Sequence, residues 1–382
     1  MLDMKGPNPF AFLDENPEAV SGRKYEAGIF NDFASAASAG QARVLVVEGG
    51  PGSGKTHLMR YFMREAEKKG MLAPYVRVEK GEGVAGVIGR ICQETALLHG
   101  FRRSVANPET FGALARALEH WAAGRHSGAG RHFGIVVFID DADNMRKAGD
   151  AVTSITGLVA AMHGRTAVSF VLGSTRELRA GGAPETVTTM GLKHFDEHEA
   201  KEAIDKGLGK EPKMGEECLH NIMDDTNGNP RLIKTVCRHL YDRLRDNEKV
   251  INKGHYLAYL PYIMSMLSGE WFGRMYQKAP ASEREILAAM AESREGMHVS
   301  DIARQLGKPL GPTTALMKRL LDSGQITRIG RGKYRIFAGL YARYVAQRAL
   351  GNQEPGRGGQ GRKPARKQPF RKPAPSPSRK PR

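Results

Sequence analysis

Val44-Leu45-Val46-Val47-Glu48-Gly49-Gly50-Pro51-Gly52-Ser53-Gly54-Lys55-Thr56-His57-Leu58 runs from an apolar strand through a glycine-rich turn into a helix. Val44 to Val47 read as a strand buried on both faces. Thr56 to Lys69 has helical spacing, with Leu58, Met59, Phe62, Met63 and Ala66 on one face and Gly70 as the stop. Between them, Gly49 to Thr56 is G-x-x-x-x-G-K-T. Glycines let successive backbone N–H groups turn inward around phosphate oxygens, and the start of the following helix adds partial positive charge. The motif therefore predicts a nucleotide-phosphate cradle of Gly49, Gly50, Pro51, Gly52, Ser53, Gly54, Lys55, Thr56 and His57. Lys55 is expected on the β- and γ-phosphates and Thr56 on Mg²⁺, which makes ATP and Mg²⁺ the expected cofactors.

The strands around this motif extend the pattern. Tyr75 to Glu79 reads as a second strand, and Val84 to Leu98 and Phe111 to Ala123 read as helices. Gly124 to His132 is a basic, solvated loop. Ile135 to Ile139 is a fully apolar strand followed by Asp140 and Asp141, and ligands in open α/β sheets sit at the carboxyl ends of strands. Asp140 is expected in the Mg²⁺ shell, and Asp141 is expected to orient or deprotonate the attacking water. Ala167 to Gly173 is a fourth strand, ending in Ser174-Thr175-Arg176, where Ser174 is expected beside the γ-phosphate. Arg176 and Arg179 are the candidates for completing a neighbouring subunit's site. With Val187 to Phe195 as a fifth strand, residues 36–195 read as an α/β P-loop NTPase core, a parallel five-stranded sheet between helices.

Residues 1–35 form a lead-in containing Asn8-Pro9-Phe10 and Gly22-Arg23-Lys24-Tyr25-Glu26 ahead of a helical stretch, Ala27 to Ala39. It packs either beside the nucleotide base or as an amino-terminal strap. Residues 196–280 turn all-helical. Asp196-x-x-Glu199 is a capping signal, and Gly228-Asn229-Pro230-Arg231 opens a helix whose first turn aims Arg231 toward the nucleotide. Tyr256 to Trp271, rich in Tyr, Leu, Met and Ile around Pro261, links this lid to the carboxyl-terminal third of the chain.

Residues 281–346 read as three helices and a hairpin. Ser282-Glu283-Arg284-Glu285 is a capping box for the first, Asp301 to Leu306 is the second, and the third starts at Gly311-Pro312 with Leu316, Leu320 and Leu321 inward. Ile326 to Ile329 and Tyr334 to Phe337 alternate around Gly330-Arg331-Gly332-Lys333. That order is a winged helix-turn-helix. Thr313, Thr314, Lys318 and Arg319 on its third helix, and Arg328, Arg331, Lys333 and Arg335 on its wing, form a basic surface suited to duplex DNA. Residues 347–382 read as a disordered tail of Lys, Arg, Pro and Gly. From Gly351 onward it holds ten basic residues against one Glu, nine of the net charges, and would hold nucleic acid without choosing a sequence.

Composition agrees with a polyanionic partner, nucleic acid ahead of a membrane surface: the chain of 382 residues carries a formal charge of +17. Cys92, Cys218 and Cys237 are odd in number and far apart, which points to reduced thiols and a cytoplasmic protein rather than a disulfide framework or zinc site. No run approaches the roughly eighteen apolar residues of a membrane span.

Taken together, these pieces resemble an AAA+ ATPase of the branch that holds the origin-recognition ATPases and the archaeal ATPase family near them. The resemblance runs from about Asn8 to Val345. Gly49 to Thr56 matches Walker A, Ile135 to Asp141 matches Walker B, Ser174-Thr175 falls where sensor 1 belongs, and Gly228 to Arg231 looks like sensor 2. The resemblance implies an ATP-hydrolysing, DNA-binding protein that acts as a nucleotide-controlled switch, with self-association through its ATPase domains. One departure stands out: Asp141 occupies a position where vigorous AAA+ ATPases generally carry Glu. The shorter arm implies slow hydrolysis, and the alternative reading is a regulatory signalling or scaffold NTPase whose winged helix binds a protein.

Overall fold

A computed structural model describes residues 8–11, 20–99, 109–124, 134–162, 168–178, 186–245 and 247–351. Helix α1 (Lys24–Ser38) leads into an alternating series: β1 (Val44–Glu48), α2 (Lys55–Lys68), β2 (Tyr75–Arg77), α3 (Val84–His99), α4 (Phe111–Gly124), β3 (Ile135–Asp140), α5 (Ala148–Met162), β4 (Val168–Ser174) and β5 (Val187–Gly191). The five strands pair in parallel in the order β2-β3-β4-β1-β5. Strands β3 and β4 are buried at every residue and β1 at all but Glu48, which explains their unbroken apolar runs.

Alternate side chains enter two different cores. Val44, Val46, Val137, Ile139, Phe170 and Leu172 pack with α3, α4 and α5. Leu45, Val47, Val136, Phe138 and Val171 pack with α1 and α2 on the other face. This two-sided burial places the carboxyl ends of β1, β3 and β4 side by side.

A helical lid follows: α6 (Glu197–Leu208), the two-residue strand β6 (Lys213–Met214), α7 (Glu216–Thr226), α8 (Pro230–Arg243), β7 (Val250–Ile251) paired with β6, and α9 (Lys253–Leu267). The capping box at the start of α6 is made, with Asp196 accepting from the Glu199 N–H and Glu199 accepting in return. A second box, Asn252 with His255, starts α9. Helix α9 continues through Pro261, whose ring supplies no N–H for the Leu257 carbonyl, and Leu257 is exposed so that water can serve it. A π-helical turn, Ser268–Phe272, connects α9 to α10 (Gly273–Lys278).

The carboxyl-terminal module contains α11 (Ala281–Met290), β8 (Met297–His298), α12 (Val299–Gln305), α13 (Leu310–Asp322), β9 (Ile326–Gly330), β10 (Lys333–Ile336) and α14 (Gly339–Gly351). Strands β8, β10 and β9 form an antiparallel sheet. Three local expectations change. The Ser282–Glu285 capping box is not formed, because α11 already starts at Ala281 behind Pro280 and Glu285 pairs with Lys308. Helix α12 begins at Val299, two residues ahead of the Asp301 start that the sequence suggests. Helix α14 carries residues 347 to 351, which sequence composition assigns to the tail. Residues 352–382 lie outside the described residues, as do 125–133 in the basic loop and much of the lead-in. Lid and module share one apolar core that runs from Ala200 through Leu240, Tyr256 and Phe272 to Leu320, Tyr341 and Val345. Among the described residues no helix is long and apolar enough to cross a membrane.

Candidate functional site

The turn between β1 and α2 closes with Gly52 at φ +80° and Gly54 at φ +92°, left-handed values that glycine adopts at little cost. Lys55 starts α2, is 7% exposed, and folds back so that its Nζ donates to the Gly49 carbonyl at 2.6 Å and the Gly50 carbonyl at 3.4 Å. Burial lowers its pKa, while Asp140, Asp141 and Asp143 pull it upward. His57 is half-buried in the same first turn.

Asp140, at the end of β3, is fully buried. Its Oδ2 accepts from the Thr56 hydroxyl at 2.7 Å and from the Tyr75 phenol at 2.8 Å, and its Oδ1 accepts from the Asp141 N–H at 2.9 Å. The pKa of Tyr75 is raised, first by burial and then by the Asp140 charge. Asp141 sits in the left-handed region at φ 53° and its Oδ2 accepts from Arg77 Nε at 2.7 Å. Asp143 accepts from the Thr175 N–H at 3.1 Å, and Arg176 stands 3.8 Å from its Oδ2.

The site has the chemistry that a nucleotide and its cation require. The Ser53 hydroxyl is buried in the loop with no hydrogen-bond partner among the described residues, and a Cβ on Gly49 would lie 2.5 Å from it. The Thr56 hydroxyl and the Asp140 carboxylate offer the hard oxygen donors that Mg²⁺ takes.

Ser174 is buried, but its hydroxyl is engaged within its own turn. It donates to the Arg176 carbonyl at 2.7 Å and accepts from the Arg176 N–H at 3.2 Å. Its carbonyl, not its hydroxyl, reaches the loop, accepting from the Gly49 N–H at 3.1 Å. Arg176 is largely exposed at the end of β4, and Arg179 lies outside the described residues.

The lid rests on the loop. Asn229 caps α8 by accepting from the Leu232 N–H, and its Nδ2 donates to the Pro51 carbonyl at 3.1 Å. The Arg231 N–H donates to the Gly52 carbonyl at 3.2 Å, and its guanidinium carbon lies 4.4 Å from the Trp271 ring centroid. A Cβ on Gly52 would meet Asn229 Oδ1 at 2.6 Å and Trp271 at 3.0 Å. The carboxyl-terminal module touches the loop as well, since a Cβ on Gly324 would meet the Pro51 ring at 2.2 Å. From the amino-terminal side, buried Arg23 pairs with Glu26 at 2.9 Å, donates to the Ser53 carbonyl at 3.1 Å and the Lys193 carbonyl at 2.7 Å, and lies over Phe195.

Sequence reasoning did not single out Tyr75, Arg77, Arg23 or Trp271. Tyr75 and Arg77, two apart on β2, share one face of the strand and meet Asp140 and Asp141, but a three-residue strand is too short for its period to mark them in the sequence. For Arg23 the only signal is its place in Gly22-Arg23-Lys24-Tyr25-Glu26.

The basic surface of the module needs two corrections. Thr313 is fully buried and donates to the Pro309 carbonyl, because it shares a helical face with Met317 and Leu320. Arg335 turns into the lid, where it donates to Asn227 Oδ1, and its Nε is buried. Thr314, Lys318, Arg319, Arg328 and Arg331 are exposed, and Lys333 is half-buried.

Residues 38–180 match the family described as AAA domain. Residues 269–345 match a domain of unknown function, DUF8462. No curated protein matches the chain. Among solved structures, the Walker-type ATPase PABY2304 of Pyrococcus abyssi superposes with a TM-score of 0.62 at 14% identity, covering 90% of this chain and 99% of that one. The ORC2 protein of Aeropyrum pernix, solved as ADPNP–ADP complexes, gives 0.58 at 14% identity, covering 91% of this chain and 99% of that one. At such identities the likeness is one of fold, and the fold is that of an AAA+ P-loop ATPase.

Proposed function

From an AAA+-type P-loop core with its lid resting on the phosphate loop, we propose that the protein binds ATP with Mg²⁺, hydrolyses it slowly, and uses the bound nucleotide to switch its grip on duplex DNA. The observation that carries this reading is the set of lid contacts at Pro51 and Gly52, made by elements that share one core with the basic module. A change at the loop therefore moves lid and module together. In this reading the backbone of Gly49 to Gly54 and the Lys55 ammonium hold the phosphates. Thr56 and Asp140 hold the cation, which supplies charge neutralisation on the phosphate oxygens. Asp141 positions the water, Arg231 reports the γ-phosphate from the lid, and Ser174 supports the loop through its carbonyl.

The Arg77–Asp141 ion pair favours slow turnover, because the guanidinium occupies the Oδ2 that would otherwise orient the attacking water. Arg77→Ala is expected to raise basal ATP hydrolysis by roughly tenfold, the direction expected when that oxygen is freed to orient water. A steady-state phosphate-release assay reads this directly, and lower turnover in the variant would mean that Arg77 serves the reaction instead.

DNA is proposed as the partner because Lys318, Arg319, Arg328 and Arg331 project from α13 and the β9–β10 hairpin, the elements read as a winged helix. Binding should weaken steeply with salt, with a logarithmic slope of about −0.9 per phosphate neutralised. Replacing Lys318 and Arg331 together by alanine is expected to flatten that slope by about two. An unchanged slope in salt titrations of a fluorescent duplex would remove this surface from the interface.

A further inference from the structure

Trp271 touches three working parts at once. It lies in the π-helical turn Ser268–Phe272 and is 8% exposed. Its edge reaches the phosphate loop at Gly52, where a Cβ would stand 3.0 Å from Cη2. Its face carries the Arg231 guanidinium, 4.4 Å from the ring centroid. On the module side it packs against Phe337, with centroids 5.6 Å apart, and Phe337 in turn packs against Tyr341 of α14 at 5.3 Å.

We infer that Trp271 is the positioning residue for Arg231: the indole is a platform that holds the guanidinium at the phosphate loop, at a height set by its contact with Gly52. This inference rests on the nucleotide reading of the site. Arg231 is exposed, and a long side chain in that setting samples many rotamers unless something orders it. A guanidinium over an indole is ordered by the negative face of the ring, and Trp provides the strongest such face. Leucine at 271 would retain apolar contact with Phe337 and lose the π face, whereas phenylalanine would retain part of it. Gly52 completes the device, since its φ of +80° and the occupied space beside it leave no room for a side chain between loop and indole.

The test uses the full chain, Mg²⁺, and fluorescent ATP-analogue and ADP titrations of wild type, W271L, W271F, R231A and the W271L/R231A double variant. The expected result is that W271L loses about tenfold in the preference for the ATP analogue over ADP, with ADP affinity unchanged. W271F should recover most of that preference, and adding W271L to R231A should cost nothing further. Equal weakening of both nucleotides, or additive losses in the double variant, would reduce Trp271 to a packing residue and overturn the inference. Should W271L fail to fold, a W121F chain leaves Trp271 as its single tryptophan. Its emission should then respond to the ATP analogue more than to ADP, and R231A should erase that difference; equal responses would overturn the inference. A wild-type chain that binds neither nucleotide would overturn both the inference and the nucleotide reading, and the first titration shows it.

Discussion

Lys55→Ala is expected to lower ATP turnover by about a hundredfold to a thousandfold, the range seen when one preorganised donor to a reacting centre is removed. The protein itself should not be weakened. Burial holds the folded-state pKa of Lys55 below its ordinary value, so between the two values the unfolded chain binds more protons and stability rises with pH. At neutral pH the buried charge is therefore a net cost that alanine removes, partly offset by the loss of its bond to Gly49. Thermal melting separates the two effects. The nucleotide-free variant should melt at or above the wild-type temperature, and the stabilisation that ATP gives the wild type should disappear. A variant that melts far lower without nucleotide would mean that Lys55 acts structurally.

The second large effect lies away from the phosphates. Gly228 has φ +68°, and a Cβ there would sit 2.0 Å from the Phe195 carbonyl oxygen, part of the backbone that leaves the sheet. The same turn is tied to that segment by the Phe195 N–H donating to the Gly228 carbonyl at 2.9 Å and by His194 Nδ1 against the Asn227 carbonyl at 2.9 Å. These ties place Asn229 and Arg231 over the loop. Gly228→Ala is expected to cost at least about 2 kcal/mol, from backbone strain together with a clash that neither side can relieve. Urea unfolding should show a lower midpoint. The surviving folded protein should bind ATP and ADP with similar affinity, because the lid no longer meets the loop correctly. A midpoint and nucleotide preference like those of wild type would show that the turn does not set the lid.

The legible parts of this chain were the local ones. A phosphate loop is a contiguous signal, and Val44 to Val47 and Ile135 to Ile139 announce strands because a sheet covered on both sides needs unbroken apolar runs. The capping box at Asp196 and Glu199 is likewise a four-residue event. Features that depend on tertiary placement were not legible. Strand β2 has three residues, too few for its alternation to mark Tyr75 and Arg77 as neighbours of the two aspartates. Thr313 looks like a polar surface residue until the phase of α13 is known, and that phase is set by its start at Leu310. Arg335 belongs by sequence to the wing and by structure to Asn227, 108 positions away. Strand β8 has two residues and exists only through its pairing with β10.

The central claim is that the nucleotide sets the grip on DNA. Its most direct test is the affinity of the full chain for a fluorescent duplex at physiological salt, measured with a non-hydrolysable ATP analogue and with ADP, each with Mg²⁺. The account predicts affinities that differ by about tenfold or more in wild type, within the range of ordinary coupling between two sites, and that become equal in Lys55→Ala. Equal affinities in the wild type, with both nucleotides demonstrably bound, would contradict it.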